Sequence, residues 1–119
     1  MNLIIYIFFI SSVASLSLQL EMINHTSNPM ILLYCSSNSE LINQTKLIDP
    51  QSRNIFNTLS EILSEGNCYY SWQDVRVEIF WYYHTINNRE YYGIVSSPNY
   101  QATIRIPSSG WCQYIIIEN

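Results

Sequence analysis

Charge is scarce in this sequence. Only 12% of its 119 residues are Asp, Glu, Lys or Arg, about half the usual share. Basic residues are scarcer still. There are five, Lys46, Arg53, Arg76, Arg89 and Arg105, against nine acidic ones, for a net charge of -4. They are scattered, so the chain has neither the basic stripe of a nucleic-acid binder nor a polybasic membrane patch. Glycine is rare as well, with three residues, and no P-loop or G-x-S-x-G motif occurs. No C-x-x-C spacing exists, and His25 and His84 are isolated, so no zinc-ligand set is visible. Glu61 and Glu65 suit a solvated face, and Asp74 and Glu78 a strand surface. His84, beside Tyr82 and Tyr83, reads as a half-exposed packing residue rather than the base of a cysteine nucleophile. These absences predict a protein that is not an enzyme, uses no cofactor and binds no metal.

Apolar and aromatic residues are plentiful. Hydrophobic residues make up 48% of the chain, and ten Tyr and three Trp are among its residues. That suffices for one core in one domain. Leu3 to Ile10 is an unbroken apolar run, and Ser11, Ser12, Val13, Ala14 and Ser15 follow it. This is the layout of a secretory signal peptide over residues 1–15. Val13 and Ser15 fit the small positions before a cut, which gives a mature domain of residues 16–119; a cut after Ser17 is the second choice. The run is much shorter than the ~20 residues of a spanning helix. The mature chain is therefore expected to be secreted, with no membrane insertion.

Secretion gives meaning to two sequons, Asn24-His25-Thr26 and Asn43-Gln44-Thr45, so Asn24 and Asn43 are candidate glycosylation sites. It also gives meaning to Cys35, Cys68 and Cys112, the three cysteines. In an oxidising compartment they read as one disulfide and one odd thiol. Loop closure does not choose the pair, because the three loops differ by only roughly 0.7 kcal/mol.

The mature sequence reads as short strands. Leu18, Leu20 and Met22 alternate with Gln19, Glu21 and Ile23. Met30 to Cys35 follows the turn formers Ser27, Asn28 and Pro29. Thr45 to Ile48 stops at Asp49-Pro50. Asn54 to Leu63 fits helix or strand spacing. Cys68 to Trp72 and Val75 to Thr85 flank Gln73-Asp74. In the second of these, Val75, Val77, Ile79, Trp81 and Tyr83 share one face, and Arg76, Glu78, Phe80, Tyr82 and His84 the other. Asn87-Asn88 is a hairpin signal. Glu90 to Val95, Tyr100 to Ile106 and Trp111 to Ile117 complete the chain. About eight strands at such spacings predict an all-β fold, a small antiparallel β-sandwich. Both faces of the Val75–Val95 hairpin cannot be core everywhere, so some of Tyr82, Tyr91 and Tyr92 should be exposed.

The order of these features resembles the plant self-incompatibility protein S family, the S-protein homologues. The likeness rests on Leu20-Glu21-Met22-Ile23-Asn24 for the opening V-x-I-x-N strand and on Cys35-Ser36-Ser37 for C-x-S. Leu47, Pro50 and Phe56 look similar to the next segment. Cys68-Tyr69-Tyr70-Ser71-Trp72 stands for C-x-F-x-W, with Tyr70 in place of Phe. Ile79-Phe80-Trp81-Tyr82 is like the aromatic strand that follows, and Cys112-Gln113-Tyr114 like the closing C-x-W. The family usually has a fourth cysteine just before the last one; it is missing here. The resemblance implies a secreted β-sandwich signalling ligand, a monomer read by a cell-surface protein receptor. It also implies a Cys68–Cys112 bridge with Cys35 as the free thiol, since the motifs around Cys68 and Cys112 match best. The alternative is a small secreted carrier of an apolar ligand in a β-barrel, for which the chain is short.

Overall fold

The computed structural model describes residues 18–38, 40–42, 45–58, 65–85, 88–108 and 110–119. The expected signal segment, Asn43 and the Asn87 turn position lie outside them, as do residues 59–63 of the ambiguous segment. Among the described residues are ten strands: β1 (Leu18–His25), β2 (Met30–Ser37), β3 (Glu40–Ile42), β4 (Lys46–Ile48), β5 (Arg53–Thr58), β6 (Gly66–Trp72), β7 (Val75–Thr85), β8 (Asn88–Val95), β9 (Tyr100–Ser108) and β10 (Trp111–Glu118). They form a four-stranded sheet, β5-β1-β10-β9, and a six-stranded sheet, β3-β2-β6-β7-β8 with β4 also on β2. The two sheets enclose one core, so the fold is the expected all-β sandwich.

Alternation sets the faces. On β7, Val77, Ile79 and Trp81 are buried, while Arg76, Tyr82 and His84 are exposed. On β1, Leu18, Leu20 and Met22 point inward with exposures of 1% or less. The β6–β7 link is a two-residue turn, with Trp72 paired to Val75. Gln73 takes the left-handed conformation there, at φ 51°, as tight hairpins require.

Three large aromatic side chains dominate the interior. Trp81, Tyr70 and Tyr114 are each 2% exposed or less. Tyr114, on β10, donates a 2.5 Å hydrogen bond to the Phe80 carbonyl on β7 and so ties one sheet to the other. Tyr70, on β6, is hydrogen-bonded to Asn54 of β5 across the same gap. Desolvation by burial holds both phenols well above the usual tyrosine range. The indole N–H groups of Trp72 and Trp81 meet no acceptor among the described residues. An unmade bond of this kind costs about 1–3 kcal/mol. Burying ~150–250 Å² of aromatic surface returns about 4–6 kcal/mol, so packing wins.

The sheets come closest where β8 faces β9. An added Cβ on Gly93 would stand 2.9 Å from the Ala102 Cβ and 3.7 Å from Tyr114. Gly93→Ala is therefore expected to destabilise the fold by about 1–3 kcal/mol through overpacking. Urea unfolding of the variant checks this; an unchanged midpoint would show that β9 can retreat freely.

Three expectations need correction. First, the sandwich is not wholly antiparallel: β1 pairs with β10 in parallel, Leu20 opposite Cys112 and Met22 opposite Tyr114. The remaining chain serves as the long crossover that a parallel pair demands. The strand count also exceeds eight, partly because β3, three residues long, is too brief to show alternation.

Second, the disulfide is Cys35–Cys68, and Cys112 is the buried free thiol. The expected Cys68–Cys112 bridge fails because the Cys68 sulfur is already taken by Cys35. Cys35 and Cys68 stand directly opposite each other on adjacent strands β2 and β6, with Cα atoms 4.0 Å apart. Burial pushes the Cys112 thiol up to about 12.

Third, Asn24 is not an exposed acceptor. It is fully buried, as is Thr26 at 1% exposure. Its Nδ2 donates to the carbonyls of Asn28 at 2.8 Å and Ile48 at 3.1 Å. Its Oδ1 accepts from the Thr26 amide at 3.0 Å and the Thr26 hydroxyl at 2.7 Å. An Asn that bonds the backbone two residues on forms an Asx turn. The spacing Asn-x-Thr that reads as a sequon serves here to close a loop. A glycan would have to leave from the nitrogen that faces Ile48.

Candidate functional site

The outer face of the six-stranded sheet carries an aromatic surface that no other strand among the described residues covers. Cross-strand pairing arranges it in rows. Tyr34, Tyr69, Glu78 and Ile94 form one, and Ser36, Asn67, Phe80 and Tyr92 the next. Tyr82 and Glu90 form a third. Tyr82 is 40% exposed and Tyr92 46%, whereas Tyr91 turns inward against Tyr114. The expected partition of these three tyrosines is thus resolved by strand alternation.

The rings contact one another. Phe80 and Tyr82 are nearly parallel, with centroids 6.1 Å apart, and Tyr82 meets Tyr92 edge-on at 5.8 Å. The Tyr92 hydroxyl donates to Glu90, whose other oxygen lies 3.3 Å from His84 Nε2. The Tyr92 bond holds the Glu90 carboxyl below the usual carboxylate range. These groups are exposed, so the contacts orient the rings more than they stabilise the fold.

Beside this cluster lies a groove of about 570 Å³, lined among others by Leu33, Tyr34, Tyr69, Arg76, Glu78 and Ile94. Tyr34 and Tyr69 pack with centroids 4.8 Å apart. A hydrogen bond to Glu78 pushes the Tyr69 phenol up to about 12. It therefore remains a protonated donor at any physiological pH. Glu78 Oε2 also accepts from Asn67 Nδ2 at 2.8 Å.

Sequence reasoning did not single out Tyr34, Tyr69 or Arg76. On β6 alternation alone would have placed Tyr69 opposite in sense to Tyr70. On β2 it would not, because a register shift between Leu32 and Tyr34 brings both Leu33 and Tyr34 to the outer side. Glu21, which alternates with Leu20 and Met22 along β1, is nevertheless only 1% exposed. Gln113 Nε2 donates to it at 2.6 Å, and Arg53 Nη1 lies 3.4 Å away.

Among the described residues no group of three His, Cys, Asp or Glu side chains converges as a metal site. The free thiol, Cys112, is protonated and lies in the core, away from the aromatic face. The geometry of this face suits contact and recognition. In comparison with known proteins, no family model matches the chain and no curated sequence matches it.

Proposed function

We propose that this chain is a secreted, non-enzymatic signalling ligand of the kind the S-protein homologues represent, monomeric and read by a cell-surface protein receptor. The observation that carries this reading is the exposed aromatic outer face, with Tyr82, Tyr92, Leu33 and Ile94 open to solvent. Tyrosine is enriched at binding hot spots, and a patch of this kind on a small rigid sandwich fits a protein partner. The signal-like N-terminus and the Cys35–Cys68 disulfide support an oxidising, extracellular setting. The carrier alternative has less support, because Trp81, Tyr70 and Tyr114 fill the space between the sheets.

The test is binding of the labelled secreted protein to intact cells of the source tissues. Saturable binding, competed by unlabelled protein and weakened at least tenfold by Tyr82→Ser with Tyr92→Ser, is the expected result. Binding that is non-saturable, or indifferent to both substitutions at unchanged stability, overturns the reading. Secretion also makes a glycan prediction. Material from a eukaryotic host is expected to lose mass on enzymatic deglycosylation through Asn43 alone. Asn43→Gln should abolish the shift; a residual shift would place a glycan on Asn24.

A further inference from the structure

The groove over Tyr34 and Tyr69 has a definite chemistry. Its floor is the Tyr34–Tyr69 ring pair. Leu33 and Ile94 form its apolar margins, 44% and 57% exposed. A space of about 570 Å³ is of the size that holds a few side chains of an extended segment. Two charged side chains line it, and they differ in state. The Glu78 carboxylate is already bonded by Asn67 and by the Tyr69 phenol. Arg76 is exposed, and its guanidinium takes part in neither ion pair found among the described residues. The uncommitted charge of the groove is therefore positive, although the protein as a whole carries -4.

We propose that this groove seats an extended segment of the protein partner in which a carboxylate lies beside an aromatic or aliphatic side chain, the carboxylate pairing with Arg76. The proposal rests on the reading of the outer face as a recognition surface and specifies what that surface takes. A guanidinium matches a carboxylate through two parallel N–H···O bonds. The neighbouring ring pair offers its faces to the apolar side chain. A basic segment would meet repulsion from Arg76 and would find Glu78 already engaged, so the groove discriminates by charge as well as by shape.

Two blocked tripeptides test it on the full-length secreted protein, acetyl-Glu-Phe-Glu-amide and acetyl-Lys-Phe-Lys-amide. Amide and side-chain NMR shifts are followed up to millimolar peptide, the range expected for so small a ligand. The acidic peptide is expected to perturb Tyr34, Tyr69, Ser71 and Arg76, and to bind at least tenfold more tightly than the basic one. Arg76→Glu should reverse that preference, and Arg76→Ala should remove it; the position is solvent-facing, and an unchanged Tyr114 spectrum reports an intact fold. Equal binding of the two peptides, perturbation elsewhere on the surface, or no perturbation at all overturns the proposal. Those outcomes leave cell-surface binding by the Tyr82 and Tyr92 region standing, so failure of the groove chemistry is distinct from failure of the recognition reading.

Discussion

Replacing Cys35 or Cys68 with alanine is expected to remove about 3–4 kcal/mol of stability, the entropy of a closed loop of this length in the unfolded chain. The bridged residues are 33 apart in sequence. A domain of this size has only roughly 5–15 kcal/mol in all, so either substitution should sharply reduce the yield of folded protein. The paired replacement should cost little more than each single one, because one bond is lost in every case. Cys112→Ala deletes a single buried sulfur and is expected to cost only about 1 kcal/mol. Labelling gives a second readout. Cys112 is fully buried, and burial keeps its thiol protonated, so it should resist alkylation until the chain unfolds. Non-reducing peptide mapping decides the matter directly. Cys112 found in a bridge, or Cys35→Ala behaving like wild type, would show the pairing to be wrong.

Asn24→Asp is expected to be as severe, although it changes one atom's chemistry and almost no volume. The amide of Asn24 donates to the Asn28 and Ile48 carbonyls, and its oxygen accepts from Thr26. Its backbone is engaged as well: Asn24 N donates to Ser52 O at 2.9 Å, and Gln51 N donates to Asn24 O at 2.7 Å. The second contact holds Gln51 at φ 64°, a conformation that costs a non-glycine residue roughly 1 kcal/mol. One residue, through its side chain and its backbone, thus fastens the end of β1, the β1–β2 turn and the β4–β5 turn. A carboxylate keeps the acceptor but loses both donors, and it sets negative charge against two carbonyl oxygens. At neutral pH a loss of at least about 3 kcal/mol is expected, from two unmade buried bonds and an unpaired charge.

The pH dependence of that variant separates charge from shape. Burial among acceptors raises the introduced carboxyl's folded-state pKa above its unfolded value. The folded chain then binds more protons than the unfolded one between the two values. The variant's deficit relative to wild type should therefore shrink as pH falls through that window. Asn24→Ala, which has no charge to titrate, should show a deficit that is flat with pH. Urea midpoints measured across acid and neutral pH check both. A deficit for Asn24→Asp that does not change with pH would mean that the side chain reaches water.

The hairpin of β7 and β8 shows how far local pattern reaches. Two-residue periodicity put Val77, Ile79 and Trp81 on one face and Tyr82 on the other, and the sandwich keeps that division, the first three buried and Tyr82 40% exposed. Turn chemistry did the same at Gln73-Asp74 and Asp49-Pro50, where β6 and β4 end. On β2 the same rule breaks down. A register shift after Leu32 changes the phase of the strand, and nothing in a run of apolar residues announces it. That shift turns Leu33 and Tyr34 outward together and makes the groove. The groove's residues come from β2, β6, β7 and β8, so no contiguous motif could have named it.

What the sequence determined by itself was therefore the class of fold and the inward face of most strands. Alternation and turn residues act within a few positions of the chain, and a strand's two sides differ wherever one is buried. The tertiary structure alone decided which strands meet. It laid β1 parallel to β10, set Cys35 against Cys68, and enclosed Asn24 where its sequon asked for exposure. Each of these depends on partners far apart in sequence, Cys35 and Cys68 by 33 residues and Asn24 and Ile48 by 24. Such pairings are selected by packing of the whole core, because local propensity is the same for any register that keeps the apolar face inward.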